Sequence, residues 1–182
     1  LWALRKGGLL HDVGKVGIPD AILLKQGRLT SAEYEIVKSH TVIGERLCAG
    51  LRSLTSVRPI IRQHHERLDG RGYPDGLKGS EGSLLAQIIG VVDAFDAMTT
   101  DRPYRKSLGI DRACDELRTD AATGAMDATL VEHFIELVPA IHGDLSSSVL
   151  WGEARSAGGS ALPSRPSVST VSAPSLQPVT AS

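Results

Sequence analysis

Cysteine is scarce in this sequence, and its two copies are isolated. Cys48 and Cys114 lie far apart, and neither belongs to a CxxC pair. This pattern argues against a disulfide framework and against a thiolate zinc site. It is typical of proteins in a reducing compartment, so we expect a cytoplasmic protein.

Net charge and long apolar runs are also lacking. The 20 basic residues nearly balance the 21 acidic residues, and the formal charge is −1 at pH 7. No whole-protein field therefore attracts a nucleic-acid polymer or an anionic membrane, and any affinity for phosphate must be local. The longest apolar run, residues 84–92, contains Gln87 and is far shorter than the roughly 20 residues that span a bilayer. We expect neither a membrane-spanning segment nor a nucleic-acid partner.

The residues that are present have the composition of one globular domain with an appendage. Hydrophobic residues make up 41% and charged residues 23% of the 182 positions, which is ordinary for a domain with a real core. From Gly143 onward Ser, Pro, Ala and Gly dominate, and Arg165 is the one charged residue after Arg155. Such a segment buries too little apolar surface to offset its ordering entropy. We predict a folded domain at residues 1–142 and a disordered Ser/Pro/Ala-rich tail at residues 143–182.

The apolar spacing within the predicted domain is helical. Residues 29–51 offer a capping-box start at Thr30 or Ser31, with Glu33 three residues after Thr30, and continue with one apolar face. His40 lies in the same turn as that face, so its ring can point toward the core. No strand alternation of convincing length occurs. We predict an all-α fold with further helices at residues 9–16, 57–66, 84–99, 110–118 and 127–138, and with long loops at residues 17–29, 67–83 and 100–109.

Four histidines and two aspartates lie on or beside these helices, whose packing would bring them together. One of the aspartates, Asp93, lies in a nearly all-apolar helix, where an unpaired charge is costly to bury. A divalent cation beside the carboxylate would remove that cost. A mixed set of imidazoles and carboxylates suits iron or manganese pairs, and also zinc or nickel. The six candidates are His11, Asp12, His40, His64, His65 and Asp93.

Each candidate also has an ordinary structural explanation. A single helical histidine such as His40 is more often a hydrogen-bonded core residue than a metal ligand. Asp96 can pair with Arg102, and the glycine-rich residues 70–79 can form a turn-rich connection. The convergence of six candidates favours a metal site over six separate explanations. His133 and His142 lack such a context.

Three motifs occur in an order and spacing that resemble one family. HDVGK at residues 11–15 is followed by His40, by HHERLDGRGYPDGL at residues 64–77, and by DAFDAMTTDRPYRK at residues 93–106. From about residue 1 to residue 138, the sequence resembles the HD-GYP family, a branch of the HD-domain metal-dependent phosphohydrolases. The resemblance implies an all-helical domain with two or three divalent metal ions, Fe or Mn foremost, that hydrolyses cyclic di-GMP to pGpG and in some members to GMP.

The resemblance also implies a role for each matching residue. A hydroxide bridging the metals, with Asp12 as the bridging carboxylate, would attack phosphorus in line. Lys15 would be the catalytic residue that stabilises charge on the phosphoryl oxygens or protonates the departing 3′ oxygen. The implied metal ligands are His11, Asp12, His40, His64, His65 and Asp93. The implied substrate-binding residues are Gly72, Tyr73, Pro74, Asp96, Arg102 and Arg105.

The glycine-rich loop suits a ligand with two phosphates and two guanines. Glycines permit close backbone approach, and Pro74 limits the flexibility that they bring. Tyr73 can pack against the ligand or brace the loop. Arg102 and Arg105 can each hold a phosphate through two parallel hydrogen bonds. A solvated surface charge is the ordinary alternative for both arginines and for Lys15.

Departures from the family pattern leave two other functions open. HD-GYP domains usually begin with a helix upstream of HDVGK that carries a histidine and, in three-metal members, a glutamate. The sequence begins after that helix, so we expect a truncated N-terminus without the first helix of the family fold. One alternative is a catalytically impaired cyclic di-GMP binding or protein-interaction module, and another is a general HD nucleotide phosphohydrolase. The expected partners are GGDEF-type or other signalling proteins, with a two-component receiver or sensory domain as the expected regulator.

Overall fold

The computed structural model describes residues 1–101 and 106–146, with side chains described as far as residue 141. Throughout these ranges the fold is helical, apart from one isolated antiparallel bridge between Asp69 and Lys78, and the all-α prediction is confirmed. The α-helices are α1 (Trp2–Leu10), α2 (Asp20–Leu23), α3 (Ser31–Lys38), α4 (His40–Cys48), α5 (Arg58–Gln63), α6 (Leu84–Thr99), α7 (Ile110–Ala122) and α8 (Ala128–Ser146). Short 3₁₀ helices lie at Val13–Gly17, Arg52–Leu54 and Gly79–Glu81.

The chain divides into two units, Leu1–Pro139 and Ala140–Ser182. The candidate ligands and the buried residues of both hydrophobic clusters lie in the first unit. Helix α8 continues to Ser146, past the predicted domain boundary at residue 142, and residues 147–182 lie outside the described part of the chain. The disordered tail and the missing first helix of the family fold therefore stay predictions. Among the helices that the structure describes, none is both long enough and apolar enough to cross a membrane.

The predicted helix at residues 30–51 begins as expected but is broken in the middle. Thr30 and Glu33 form the predicted capping box: the Glu33 N–H donates to the Thr30 hydroxyl at 3.3 Å, and the Thr30 N–H donates to the Glu33 carboxylate at 2.7 Å. Ser39 separates α3 from α4. Its N–H and its hydroxyl both donate to the Ile36 carbonyl, at 3.1 and 2.6 Å, which tightens and ends α3. Helix α6 has the predicted bounds.

The prediction of a helix at residues 9–16 is wrong. Helix α1 ends at Leu10, and the chain continues as the 3₁₀ helix Val13–Gly17. That 3₁₀ helix lies directly against α4, since a Cβ added to Gly14 would be 1.8 Å from the His40 carbonyl oxygen. Contact this close requires glycine, and it places His11 and Asp12 in the tight turn between the two helices.

Two hydrophobic clusters hold the helices together. The smaller cluster joins α4 to α5 through Cys48, Val57 and Ile61. Helix α1 packs against α5 and α6, and α4 packs against α5 and the 3₁₀ helix Val13–Gly17. Both cysteines are buried and free. The larger cluster joins α6, α7 and α8, and its buried members are Val91, Phe95, Ala113, Cys114, Leu117, Val131 and Val138.

Candidate metal centre

The structure brings all six predicted ligands into one cluster. The cluster draws on the turn after α1, the start of α4, the residues that follow α5, and the middle of α6. It contains two groups, and within each group the candidate ligand atoms lie within 4.8 Å of one another. The first group contains Asp12, His40, His64 and His65, and the second contains His11, Asp12 and Asp93.

Three of the histidines are oriented by the same kind of backbone contact. The Nδ1 atoms of His11, His40 and His64 lie 2.9, 2.7 and 2.9 Å from the carbonyl oxygen of the residue three positions earlier. Because a carbonyl oxygen only accepts hydrogen bonds, Nδ1 must carry the proton, and in the neutral ring Nε2 keeps a free lone pair. Metal-binding histidines are commonly fixed in this way through their second nitrogen.

The lone pairs of the first group face one another and a buried carboxylate oxygen. The Nε2 atoms of His40 and His64 are 3.4 Å apart. Asp12 Oδ1 lies 3.4 Å from the His40 Nε2 and 4.0 Å from the His64 Nε2. In the described part of the chain this buried oxygen has no hydrogen-bond partner. Three acceptors directed at one point, without a donor between them, fit a divalent cation.

The second oxygen of Asp12 belongs to the other group. Asp12 Oδ2 lies 3.4 Å from the His11 Nε2 and 2.5 Å from the Lys15 Nζ. The same His11 nitrogen is 3.7 Å from Asp93 Oδ1. Asp12 thus directs one oxygen to each group, which is the arrangement of a bridging carboxylate. Lys15, on the 3₁₀ helix, brings an ammonium to the edge of the cluster.

Burial and neighbouring charges shift the pKa values within the cluster in opposite directions. Burial, reinforced by the other imidazoles, lowers the pKa of His64 to about 4. Burial also disfavours a charge on His11, but hydrogen bonds to Asp12 and Asp93 outweigh it and raise the pKa of His11 to about 10. For Asp12, burial acts against ionisation, but His11 and Lys15 hold its pKa well below the usual range. The cluster thus keeps His64 neutral and Asp12 ionised, which are the protonation states that a metal ion requires, whereas His11 stays protonated. A cation bound by His11 would have to displace that proton.

The loop that follows His65 is held by Glu66. The Glu66 carboxylate accepts the N–H of Asp75 at 2.6 Å and the N–H of Leu77 at 2.9 Å. Arg62, on α5, donates two hydrogen bonds of 2.7 Å to the Asp75 carboxylate. Glu66 has no predicted role, although its position next to His65 in the HHER motif is a signal that points to it.

The glycine-rich loop also packs back onto the ligand cluster. The Tyr73 N–H donates to the His65 carbonyl at 3.1 Å, and the two ring centroids are 4.8 Å apart. Gly72 allows a close crossing of the chain, since a Cβ there would lie 2.3 Å from the Arg67 amide nitrogen. Pro74 follows Tyr73 through a cis peptide bond. The predicted contacts of these three loop residues with substrate stay predictions.

The remaining predicted substrate-binding residues lie on or after α6. Asp96 is exposed one turn after Asp93, and its Oδ1 accepts the Thr100 hydroxyl at 3.4 Å. Arg102 and Arg105 lie outside the described residues, and their predicted roles in phosphate binding stay predictions.

Comparisons with known proteins agree with this architecture. The HD domain family matches residues 2–130. The chain is 43% identical over 113 residues to the 3'3'-cGAMP-specific phosphodiesterase 3 of Vibrio cholerae, with 62% of this chain and 24% of that protein covered. It is 44% identical over 131 residues to a cyclic di-GMP phosphodiesterase of Thermotoga maritima, with 70% and 35% covered. The chain thus spans 24% and 35% of the lengths of these two relatives.

A solved structure shows the same fold. It is a HDG"Y"P protein from Bdellovibrio bacteriovorus, with a TM-score of 0.59 and 23% sequence identity. The likeness covers 75% of this chain and 43% of the other. The family match covers most of the chain, and the GYP loop packs on the two ligand groups. The chain therefore belongs to the HD domain family, in the branch marked by the HD-GYP motifs.

Proposed function

We propose that this chain is a metal-dependent phosphodiesterase that hydrolyses cyclic di-GMP to pGpG, or further to GMP. The observation that carries the proposal is Asp12, which directs one oxygen to each of two ligand groups. Its Oδ1 is buried without a hydrogen-bond partner among the described residues. In a purely structural polar cluster, a protein donor would satisfy such an oxygen. The arrangement therefore supports a function that needs two cations side by side.

The proposed ligands divide between two ions that share Asp12. His40, His64 and His65 would complete one site, and His11 and Asp93 would complete the other. A pair of divalent cations supplies Lewis acidity, which lowers the pKa of water and neutralises charge on a phosphate during in-line displacement. Their identity is proposed as Fe or Mn, since both suit mixed imidazole and carboxylate ligands. The backbone contacts of His11, His40 and His64 hold their Nε2 atoms in place before any ion binds.

Lys15 is the proposed catalytic residue of the chain itself. Its Nζ lies 2.5 Å from Asp12 Oδ2, so the bridging carboxylate fixes the ammonium at the edge of the ligand cluster. From there the ammonium can donate to a phosphoryl oxygen or give a proton to the departing 3′ oxygen. The Tyr73 ring, 4.8 Å from the His65 ring, offers the substrate a planar surface beside the cluster.

The substrate class rests on the relatives, and the choice within it rests on the family resemblance. One relative is named for cyclic di-GMP and another for 3'3'-cGAMP. Both compounds have two phosphodiesters and at least one guanine, so 3'3'-cGAMP is the second candidate. A cytoplasmic location and a GGDEF-type partner are further parts of the proposal. The first comes from the scarcity of cysteine in the sequence, and the second from the family resemblance.

One experiment tests the proposal with two measurements on one sample. Elemental analysis gives the metal content of the purified chain, and chromatography follows cyclic di-GMP, 3'3'-cGAMP and ordinary nucleotides after anaerobic addition of Fe(II) or Mn(II). We expect two metal ions per chain and a linear dinucleotide product, with cyclic di-GMP preferred. A folded chain that binds cyclic di-GMP without hydrolysing it would be a binding module. Hydrolysis of ordinary nucleotides alone would indicate a general HD phosphohydrolase.

A further inference from the structure

Beside the ligand cluster, Lys38 and two tyrosines form a group that we call the Lys38 edge, made of Tyr34, Lys38 and Tyr73. The Lys38 Nζ lies 5.4 Å from the centroid of the Tyr34 ring and 5.8 Å from the centroid of the Tyr73 ring. The two rings are 6.3 Å apart at an interplanar angle of 81°. The two distances from Nζ to the ring centroids are within the range of cation–π attraction, so both rings stabilise the ammonium.

The Lys38 edge adjoins the proposed metal ligands. Tyr73 contacts the imidazoles as well as Lys38, because its ring centroid lies 4.8 Å from that of His65 and 6.4 Å from that of His40. Lys38 itself ends α3, two residues before His40. The ammonium is therefore one aromatic ring away from the imidazoles, on a helix that does not carry Lys15.

The present ion-pair partner of Lys38 is easily displaced. Lys38 Nζ lies 2.6 Å from Glu35 Oε1, but the Glu35 side chain is 67% exposed whereas that of Lys38 is 25% exposed. An ion pair with so exposed a partner contributes little, because water and salt screen it. The lysine is the fixed member of the pair and the glutamate is the solvated one, so an incoming anion can take the place of Glu35.

We propose that Lys38 binds the second phosphodiester of a cyclic dinucleotide, the one that is not being hydrolysed. This inference rests on the proposed function. A cyclic dinucleotide carries two phosphodiesters in one ring, and only one of them can lie at the metal ligands and Lys15 at a given time. The other remains anionic, and a cation placed beside it would strengthen binding. Lys38 supplies that cation from α3, held in position by Tyr34 and Tyr73.

The test compares Lys38→Met and Lys38→Arg with wild type and with Lys25→Met. Lys25 is a matched control, since it is 32% exposed and ion-paired with Glu33 at 2.6 Å, and the structure records no aromatic contact for it among the described residues. Binding is measured by calorimetry with a slowly hydrolysed phosphorothioate analogue of cyclic di-GMP. Turnover is measured on cyclic di-GMP and on bis(p-nitrophenyl) phosphate, which has a single phosphodiester. Metal content is measured on every variant.

We expect Lys38→Met to raise the Kd of the analogue and the KM for cyclic di-GMP about tenfold, with kcat changed by less than about twofold, because one charged contact to bound substrate is lost. Turnover of bis(p-nitrophenyl) phosphate and metal content should not change. Lys38→Arg should keep most of the affinity, and Lys25→Met should behave as wild type.

Two results would overturn the role of Lys38: an unchanged Kd in Lys38→Met, or an equal loss on both substrates, which would show a role in folding or in metal binding. The results that would contradict the proposed function are distinct from those that would contradict the role of Lys38. If wild type binds the analogue but does not hydrolyse cyclic di-GMP, the hydrolase proposal is wrong while the Kd comparison still decides on Lys38. If wild type neither binds the analogue nor hydrolyses cyclic di-GMP, both proposals are wrong.

Discussion

The two buried regions of this domain are built in opposite ways. The core of α6, α7 and α8 is apolar, with Leu117 and Val131 fully buried, whereas the ligand cluster buries His40 and His64 to 1% and 2% exposure. Burying apolar surface stabilises the fold directly. Burying imidazoles costs stability unless each polar atom is satisfied, and in the described chain Asp12 Oδ1 is not. The difference indicates that the first region stabilises the fold, whereas the second has the composition of the proposed metal site.

The largest effect is expected from substitutions that remove a proposed metal ligand from the polar region. His64→Ala or Asp93→Ala should each lower metal affinity at least about a hundredfold and bring turnover below detection, because each removes a proposed ligand. Elemental analysis and the turnover assay check this. His133→Ala is the matched control, since His133 is exposed on α8 and belongs to neither ligand group. Full metal content and an unchanged rate in Asp93→Ala would show that the ligand assignment is wrong.

A second variant separates chemistry from metal binding within the polar region. Lys15→Ala should lower kcat by about 10² to 10⁴-fold, the usual contribution of a general acid, while metal content stays at the wild-type level. Lys6→Ala, at an exposed position of α1, should leave both quantities unchanged. A loss of metal in Lys15→Ala equal to that in His64→Ala would instead mean that Lys15 mainly supports the ligands.

A substitution in the apolar region should lower stability and leave metal binding and turnover unchanged. Leu117→Ala removes a fully buried side chain on α7 and should lower the free energy of unfolding by about 2 to 5 kcal/mol. Urea denaturation measures this loss. The folded fraction should still bind metal and turn over substrate at the wild-type rate. If Leu117→Ala loses as much metal as His64→Ala, the two regions are not independent.

The smallest expected effect is a pH dependence that belongs to the polar region. The pKa of His64 is about 4 in the folded chain and about 6.5 when unfolded, so between these values the unfolded state binds more protons. In the chelator-treated chain, the free energy of unfolding should therefore fall as pH falls from about 6.5 to about 4, by up to about 1.4 kcal/mol per pH unit for one proton. The pKa of His11 is raised to about 10, so this residue changes the free energy of unfolding above this pH window.

Denaturation curves at several pH values across this window measure the slope. His64→Ala should have a shallower dependence than wild type, and Leu117→Ala should keep the wild-type slope. An unchanged slope in His64→Ala would show that its imidazole is not held neutral in the fold.

Much of the fold follows from local sequence signals, and the remainder depends on tertiary contacts. The Thr30 capping box and the bounds of α6 are local, and both are predicted correctly. The change of helix type after Leu10 depends on the contact of Gly14 with α4, which no neighbouring residue signals. The break at Ser39 likewise lacks a glycine or proline to mark it.

The candidate site shows the same division. The six ligand candidates are found from the sequence because histidines and aspartates are rare at such positions and belong to recognisable motifs. The Lys38 edge is not found in this way, because Tyr34 and Tyr73 come together only in the folded chain. A lysine near the end of a helix is, in sequence, an ordinary favourable interaction with the helix dipole.

Both carboxylate oxygens of Glu66 accept hydrogen bonds from backbone amides of the loop. This affects how a saturation-mutagenesis scan of the chain would be interpreted. Position 66 should score as intolerant as its neighbour His65, because Glu66 holds the loop through these two hydrogen bonds. A glutamine there keeps one accepting oxygen and loses the other, so an inactive Glu66→Gln protein would report a displaced loop. Scored by rate alone, it would be mistaken for the loss of a general base, whereas retained metal together with a raised KM would identify a fault in the loop.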